Sequence, residues 1–122
     1  MKLVQDKYPH MNQFSGYGAD WVSVNGERQQ GSLLISATAI KPWRPAGFDD
    51  LQREDFAAVL QEQPELVLLG TGRRIRFPHP SLTRDLLEAG VGVEVMDVGA
   101  LCRIFNALAG EGRRAVALVL FD

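Results

Sequence analysis

Three short apolar runs in the second half of the chain constrain its fold most: LVLL at 66–69, VEVM at 93–96 and AVALVLF at 115–121. The first leads directly into Gly70-Thr71-Gly72, and each gap between the runs holds a helical pattern. Parallel neighbours need a crossover of a dozen or more residues, usually a helix, so this alternation predicts a parallel βαβαβ half. The last run is apolar throughout, as suits a strand covered on both faces. The fold class is therefore α/β.

The gaps show where the helices lie. Over 50–63, Leu51, Phe56, Val59 and Leu60 fall near one face, Asp49 or Asp50 can cap, and Pro64 closes the segment. Ser81 can cap a second helix to Ala89, with Leu82 and Leu86 inward and Gly90 at its end. Asp97 can cap a third, whose Leu101, Ile104, Phe105 and Leu108 recur at helical spacing until Gly110 or Gly112. In the first half, Trp21, Val22 and Val24 run into Asn25-Gly26, a pair that tolerates positive φ and marks a hairpin. The return strand is expected over 32–35. A third extended piece over 39–43 is kept to an edge by Pro42 and Pro45.

At 122 residues the chain reads as a single domain, 1–122, with an arm or edge segment over 1–15. A net charge of −2 argues against a nucleic-acid partner. Cys102 is the only cysteine, so neither an internal disulfide nor a cysteine-based zinc site is available. No run approaches the roughly 18 apolar residues of a membrane span, and the first residues lack the apolar segment of a secretory leader. A soluble, cytoplasmic protein is expected.

The run VEVMDVGALCRIFNALAGEGRRAVALVL, together with VLLGTG and the hairpin ending in GSLLIS, resembles a small single-domain family. Its eukaryotic members include the mitochondrial NADH dehydrogenase (complex I) assembly factor 3, and its bacterial and archaeal members are largely of unknown function. The resemblance runs from about Tyr17 onward. It implies three layers: a central, mainly parallel sheet, helices on one side, and a small antiparallel hairpin sheet with further helix on the other. The matching positions are Gly70, Thr71, Gly72, Met96, Asp97, Cys102, Arg103, Asn106, Leu108, Glu111 and Arg113. Val98, Ile104 and Phe105 stand where relatives commonly carry threonine, threonine and tyrosine, and each change removes a hydroxyl. The family has no established catalytic residues, so the resemblance assigns none here.

The residues themselves leave two classes of function open. Ligands of open α/β sheets gather at the carboxyl ends of the parallel strands, where Gly70, Thr71, Gly72, Arg73, Asp97 and Gly99 fall. Asn106 could project into the same pocket. Arg73, Arg74 and Arg76 could attract an anion or an acidic partner. Against this, tight turns explain the glycines and capping explains Asp97, whose charge also repels an anion. Asn106 could equally satisfy backbone from a neighbouring segment, the arginines could protect an exposed edge, and Cys102 suits a buried apolar site. Glu111 and Arg113 are expected to link to each other across the last turn. His10 and His79 stand in proline-flanked loops and form no metal motif. Trp43 and Arg44, in IKPWRPAGF, are either a partner contact or a seal on one end of the core. The resemblance tips the balance to a non-catalytic protein-binding or assembly module without cofactor or metal, with respiratory-complex assembly as its extension. The alternative is a small-molecule or anion-binding protein, or an enzyme, using the strand-end pocket.

Overall fold

The structure, a computed structural model, describes residues 11–122. Of the expected arm or edge segment over 1–15, residues 1–10, with His10, lie outside the described residues, and Phe14 and Ser15 belong to the first strand. In chain order come strands β1 (Phe14–Tyr17), β2 (Trp21–Val24), β3 (Glu27–Gln30), β4 (Leu33–Ile35) and β5 (Ile40–Pro42). Helix α1 (Arg53–Ala57), β6 (Leu66–Thr71), α2 (Arg84–Glu88), β7 (Gly92–Met96), α3 (Val98–Gly110) and β8 (Ala115–Leu120) follow. Short 3₁₀ turns, Phe48–Asp50, Ala58–Glu62 and Pro80–Thr83, flank the first two helices.

β8 is buried at every position and sits at the centre of a five-stranded sheet of order β5-β4-β8-β6-β7. β6 pairs in parallel with both β7 and β8, as the helical crossovers require. β4 pairs antiparallel with β8 and β5, so the sheet is mixed, not mainly parallel. The difference lies in one segment. Asn25 and Gly26 adopt positive φ, 54° and 85°, and close a hairpin, but its return strand is the polar β3, not residues 32–35. All three residues of β4 are buried. A hairpin strand with one wet face buries only alternate side chains, whereas a strand inside a sheet covered on both faces buries them all. β4 therefore leaves the hairpin after Gly31 (φ 80°) and joins the large sheet. β1, β2 and β3 form a separate antiparallel sheet.

Each face of the large sheet carries its own core. Ala115, Ala117 and Val119 of β8 face Leu101, Phe105 and Ala109 of α3 together with Phe14, Val22 and Val24 of the small sheet. Val116, Leu118 and Leu120 face Phe56, Val59 and Leu86 of the helical layer. The α3 stripe runs through Val98, Leu101, Cys102, Phe105 and Ala109. Ile104 lies off its edge and is 37% exposed, contrary to expectation, and Leu108 is only half-buried. The stripe centres one position round from the predicted face because Cys102 and Ala109 are small enough to pack closely on the sheet.

The 50–63 segment is not one helix. Its ordered part starts at Arg53, and Asp55 rather than Asp49 or Asp50 closes the first turn by accepting the Gln52 amide at 2.8 Å. Gln63, with φ 55°, turns the chain out before Pro64. Ser81 does not cap α2. Pro80 starts the 3₁₀ turn ahead of it, and the His79 ring accepts the Ser81 amide at 3.1 Å. The expected Glu111–Arg113 link is also absent: Arg113 meets Glu65 at 3.8 Å, and Glu111 forms the last residue of the α3 cap.

Candidate functional site

Because β6, β7 and β8 run parallel, their carboxyl ends open on one edge of the sheet. A cleft of about 350 Å³ lies there, walled by Gly72 and Arg73 after β6, Asp97, Val98 and Gly99 after β7, and Phe121 after β8. Tyr17, Gly18 and Ala19 close it from the small sheet. Gly72 has φ 85°, and a Cβ there would collide with the Asp122 carboxylate. Its carbonyl accepts the Val98 amide at 2.9 Å, tying two loops together. Asp97 caps α3 by accepting the Ala100 amide at 2.8 Å, as its position predicts. A Cβ on Gly99 would come within 2.8 Å of the Tyr17 ring, so the missing side chain lets the phenol lie on the start of α3.

The one cation of the cleft, Arg73, is already paired within the chain. Asp122 accepts the Arg73 amide and its Nε, both at 3.0 Å. That guanidinium holds the Asp122 carboxyl below the usual carboxylate range. The remaining walls, Val98, Phe121, Ala19 and the Tyr17 ring, are apolar or aromatic. Such a cleft suits an apolar group better than a free anion, and among the described residues it brings together no hydrogen-bonded pair of nucleophile and base.

Four of the seven residues expected in a pocket, Gly72, Arg73, Asp97 and Gly99, thus meet in the cleft. The other three stand elsewhere. Gly70 faces α3, where a Cβ would lie 3.0 Å from Leu101 Cδ1. Thr71 points into the next loop: its hydroxyl donates to the Arg74 carbonyl at 2.6 Å and accepts the Arg76 amide at 3.0 Å. Asn106 clasps the backbone of β1, accepting the Phe14 amide and donating to the Phe14 carbonyl, both at 2.8 Å. Sequence reasoning missed Tyr17, Gly18, Ala19, Val98 and Phe121. Val98 and Phe121 follow strand ends and could have been read from the topology, whereas nothing local marks Tyr17, Gly18 and Ala19, which reach the cleft only because the small sheet packs on α3.

Trp43 is not a surface anchor. It is 8% exposed, stacks edge-on against Phe56 with centroids 5.6 Å apart, and directs its indole N–H to the Asp55 carbonyl at 3.4 Å. Arg44 is occupied as well. Its guanidinium grips Asp55 through two bonds, at 2.6 and 2.7 Å, and reaches the Asp50 carbonyl at 2.6 Å. It holds the buried Asp55 carboxyl below its ordinary range. Burial pushes the Cys102 thiol up to about 12, which removes it as a nucleophile near neutrality. Among the described residues, no cluster of three or more His, Cys, Asp or Glu side chains could hold a metal ion.

Residues 14–120 match the model of a family described as "Protein of unknown function (DUF498/DUF598)", and the chain belongs to that family. The NADH dehydrogenase [ubiquinone] 1 alpha subcomplex assembly factor 3 of Bos taurus is 30% identical over 115 residues, 93% of this chain and 62% of its own length. The chain therefore spans under two thirds of that curated relative. An uncharacterized protein of Rhodobacter capsulatus is 37% identical over 105 residues, 86% of this chain and 81% of its own. A crystal structure from Bordetella parapertussis superposes with a TM-score of 0.86 at 33% identity, covering 92% of this chain and 97% of that one.

Proposed function

We propose that this DUF498/DUF598 protein is a binding or assembly module that acts through protein contacts and not as a catalyst. The observation that carries the reading is the name that several of its curated relatives carry, assembly factor 3 of NADH dehydrogenase, over 93% of this chain in the bovine case. The internal chemistry supports it. Asp97 caps a helix, Thr71 braces a loop, Asp55 and Asp122 pair with arginines, and Cys102 is sealed in the core. Each of these groups has a structural task.

The finer form of the proposal is that the chain assists assembly of a respiratory complex from the cytoplasmic side of the membrane. No helix among the described residues is long and apolar enough to cross a membrane. Deleting the gene in the native host and resolving respiratory complexes on native gels tests this form: subassemblies should accumulate and the mature complex should fall. An unchanged complex profile in the deletion strain refutes the respiratory role. The rival reading, a small-molecule site, rests on the strand-end cleft. The Arg73–Asp122 pair weighs against it, because it leaves no uncompensated cation among the described residues that line the cleft.

A further inference from the structure

Of the stretch RRIRFP at 73–78, only Arg73 lines the strand-end cleft. Phe77 is 75% exposed, more than any other large hydrophobic among the described residues, and Ile75 is 52% exposed. Single exposed apolar side chains are ordinary, but here two stand within three residues on a braced loop. Thr71, itself buried, binds the Arg74 carbonyl and the Arg76 amide and fixes the loop from beneath. Arg73 ties one end to Asp122 at 3.0 Å. Arg76 ties the other to Asp49 at 3.0 Å and lies 4.1 Å over the Phe48 ring. Pro78 and Pro80 stiffen the chain beyond Phe77. Between these anchors Arg74 is exposed and makes no ion pair among the described residues.

Edge protection does not account for this stretch. Basic residues guard exposed strand edges, but residues 73–79 form no strand, and exposed Ile and Phe would invite association. Arginine and aromatic side chains dominate the energetics of protein interfaces. A loop already held in one conformation loses little entropy on binding. We propose that this loop is the docking surface for the chain's protein partner, and that the partner offers an apolar pocket for Phe77 with an acidic rim facing Arg74. This rests on the protein-binding reading above. A protein fits better than an anionic bilayer. Attraction to lipid headgroups draws on several cations acting together, whereas Asp122 and Asp49 already match two of the loop's three arginines.

The test places a photo-crosslinking phenylalanine derivative at Phe77 in the full chain, in its own cells, and at Ile40 and Ile104 in parallel. These two are exposed positions outside the loop. Crosslinked peptides are then sequenced. The expected result is a single identified protein joined at position 77, through a segment that is net acidic and carries apolar residues. With that protein purified, Phe77→Ala and Arg74→Glu should each weaken binding about tenfold or more while melting as the parent does. Protein crosslinks from 40 or 104 but not 77 overturn the docking surface and leave the protein-binding reading standing. A basic segment at position 77, or flotation with phosphatidylglycerol vesicles that Arg74→Glu abolishes, also overturns it. No protein crosslink from any of the three positions counts against both readings.

Discussion

Asn106 offers the sharpest check on how the layers are joined. It projects from α3 and binds both backbone groups of Phe14, each at 2.8 Å, as the peptide of a neighbouring strand would. One side-chain amide thus fastens the edge strand β1 to the helix, beside the edge-on contact of Phe14 with Phe105 at 5.3 Å. In Asn106→Ala both Phe14 groups lose their partner. At roughly 1 to 1.5 kcal/mol for each net bond, the loss is about 2 to 3 kcal/mol. Alanine returns about 0.5 kcal/mol through its better helix propensity, so the net cost is about 2 kcal/mol. For a domain of this size that lowers Tm by about 8 °C. Asn106→Asp refines the test. One carboxylate oxygen can still accept the Phe14 amide, but the other faces the Phe14 carbonyl, so only the protonated acid can donate to it. Its pKa in the folded state is therefore raised above the ordinary value of about 3.9. Stability tied to a raised pKa is present below the unfolded value and lost as pH rises through the folded one. Relative to the parent, Asn106→Asp should be close to normal at pH 3 and weakened at pH 7. Urea melts across that range, with amide exchange read at Phe14, measure both effects. A loss under about 0.5 kcal/mol in Asn106→Ala, or no pH dependence in Asn106→Asp beyond that of the parent, refutes the clasp.

Phe105→Ala, at a fully buried site, should cost about 3 to 5 kcal/mol in chemical denaturation, whereas Ile104→Ala one position earlier should cost under about 1 kcal/mol. Gly70→Ala places a methyl against Leu101 Cδ1 at 3.0 Å and Val98 Cγ2 at 3.3 Å, and thermal melts should show a loss of about 1 to 3 kcal/mol from overpacking. Arg44 lowers the Asp55 pKa, so that pair stabilises the fold above the unfolded value near 3.9 and its contribution is lost as pH falls. Asp55→Asn should be less stable than the parent at pH 7, with the gap narrowing below about pH 4 in a series of denaturant melts. Cys102 should resist a thiol reagent at pH 8 in the native chain and react fully once denaturant unfolds it, because burial lifts its pKa to about 12.

The parallel core of the fold was legible because it is written in local patterns. The runs at 66–69, 93–96 and 115–121 are apolar, helical spacing separates them, and chain connectivity leaves only the parallel solution. Asn25-Gly26 marked its turn by backbone chemistry alone. Residues 33–35 were harder: their unbroken apolar run resembles β8 more than β3, but proximity to the turn suggested a hairpin arm. The α3 phase slipped because Ile104 sits at helical spacing, while the true stripe passes through the small residues Cys102 and Ala109. Asp97 was readable as a cap, since its role is settled within three residues. The cleft was only half readable. Its strand-end residues follow from the topology, but Tyr17, Gly18 and Ala19 arrive from the small sheet through packing that no local pattern records. The sequence left Trp43 open between a partner contact and a seal on the core for a similar reason, because its partner Phe56 and the Arg44–Asp55 pair join segments with no shared periodicity.

Native capture with parallel chemical analysis tests the central claim most directly. The tagged chain is isolated from its own cells at natural abundance. Its protein companions are quantified by mass spectrometry, and the denatured eluate is analysed for released small molecules. The account predicts one or a few identified proteins near stoichiometric amount, absent when Phe77→Ala and Arg74→Glu are combined, and no small molecule at comparable occupancy. A chain that returns without protein companions while releasing a stoichiometric small molecule, which is lost when Ala19→Trp narrows the cleft, contradicts the account and makes this protein a ligand binder.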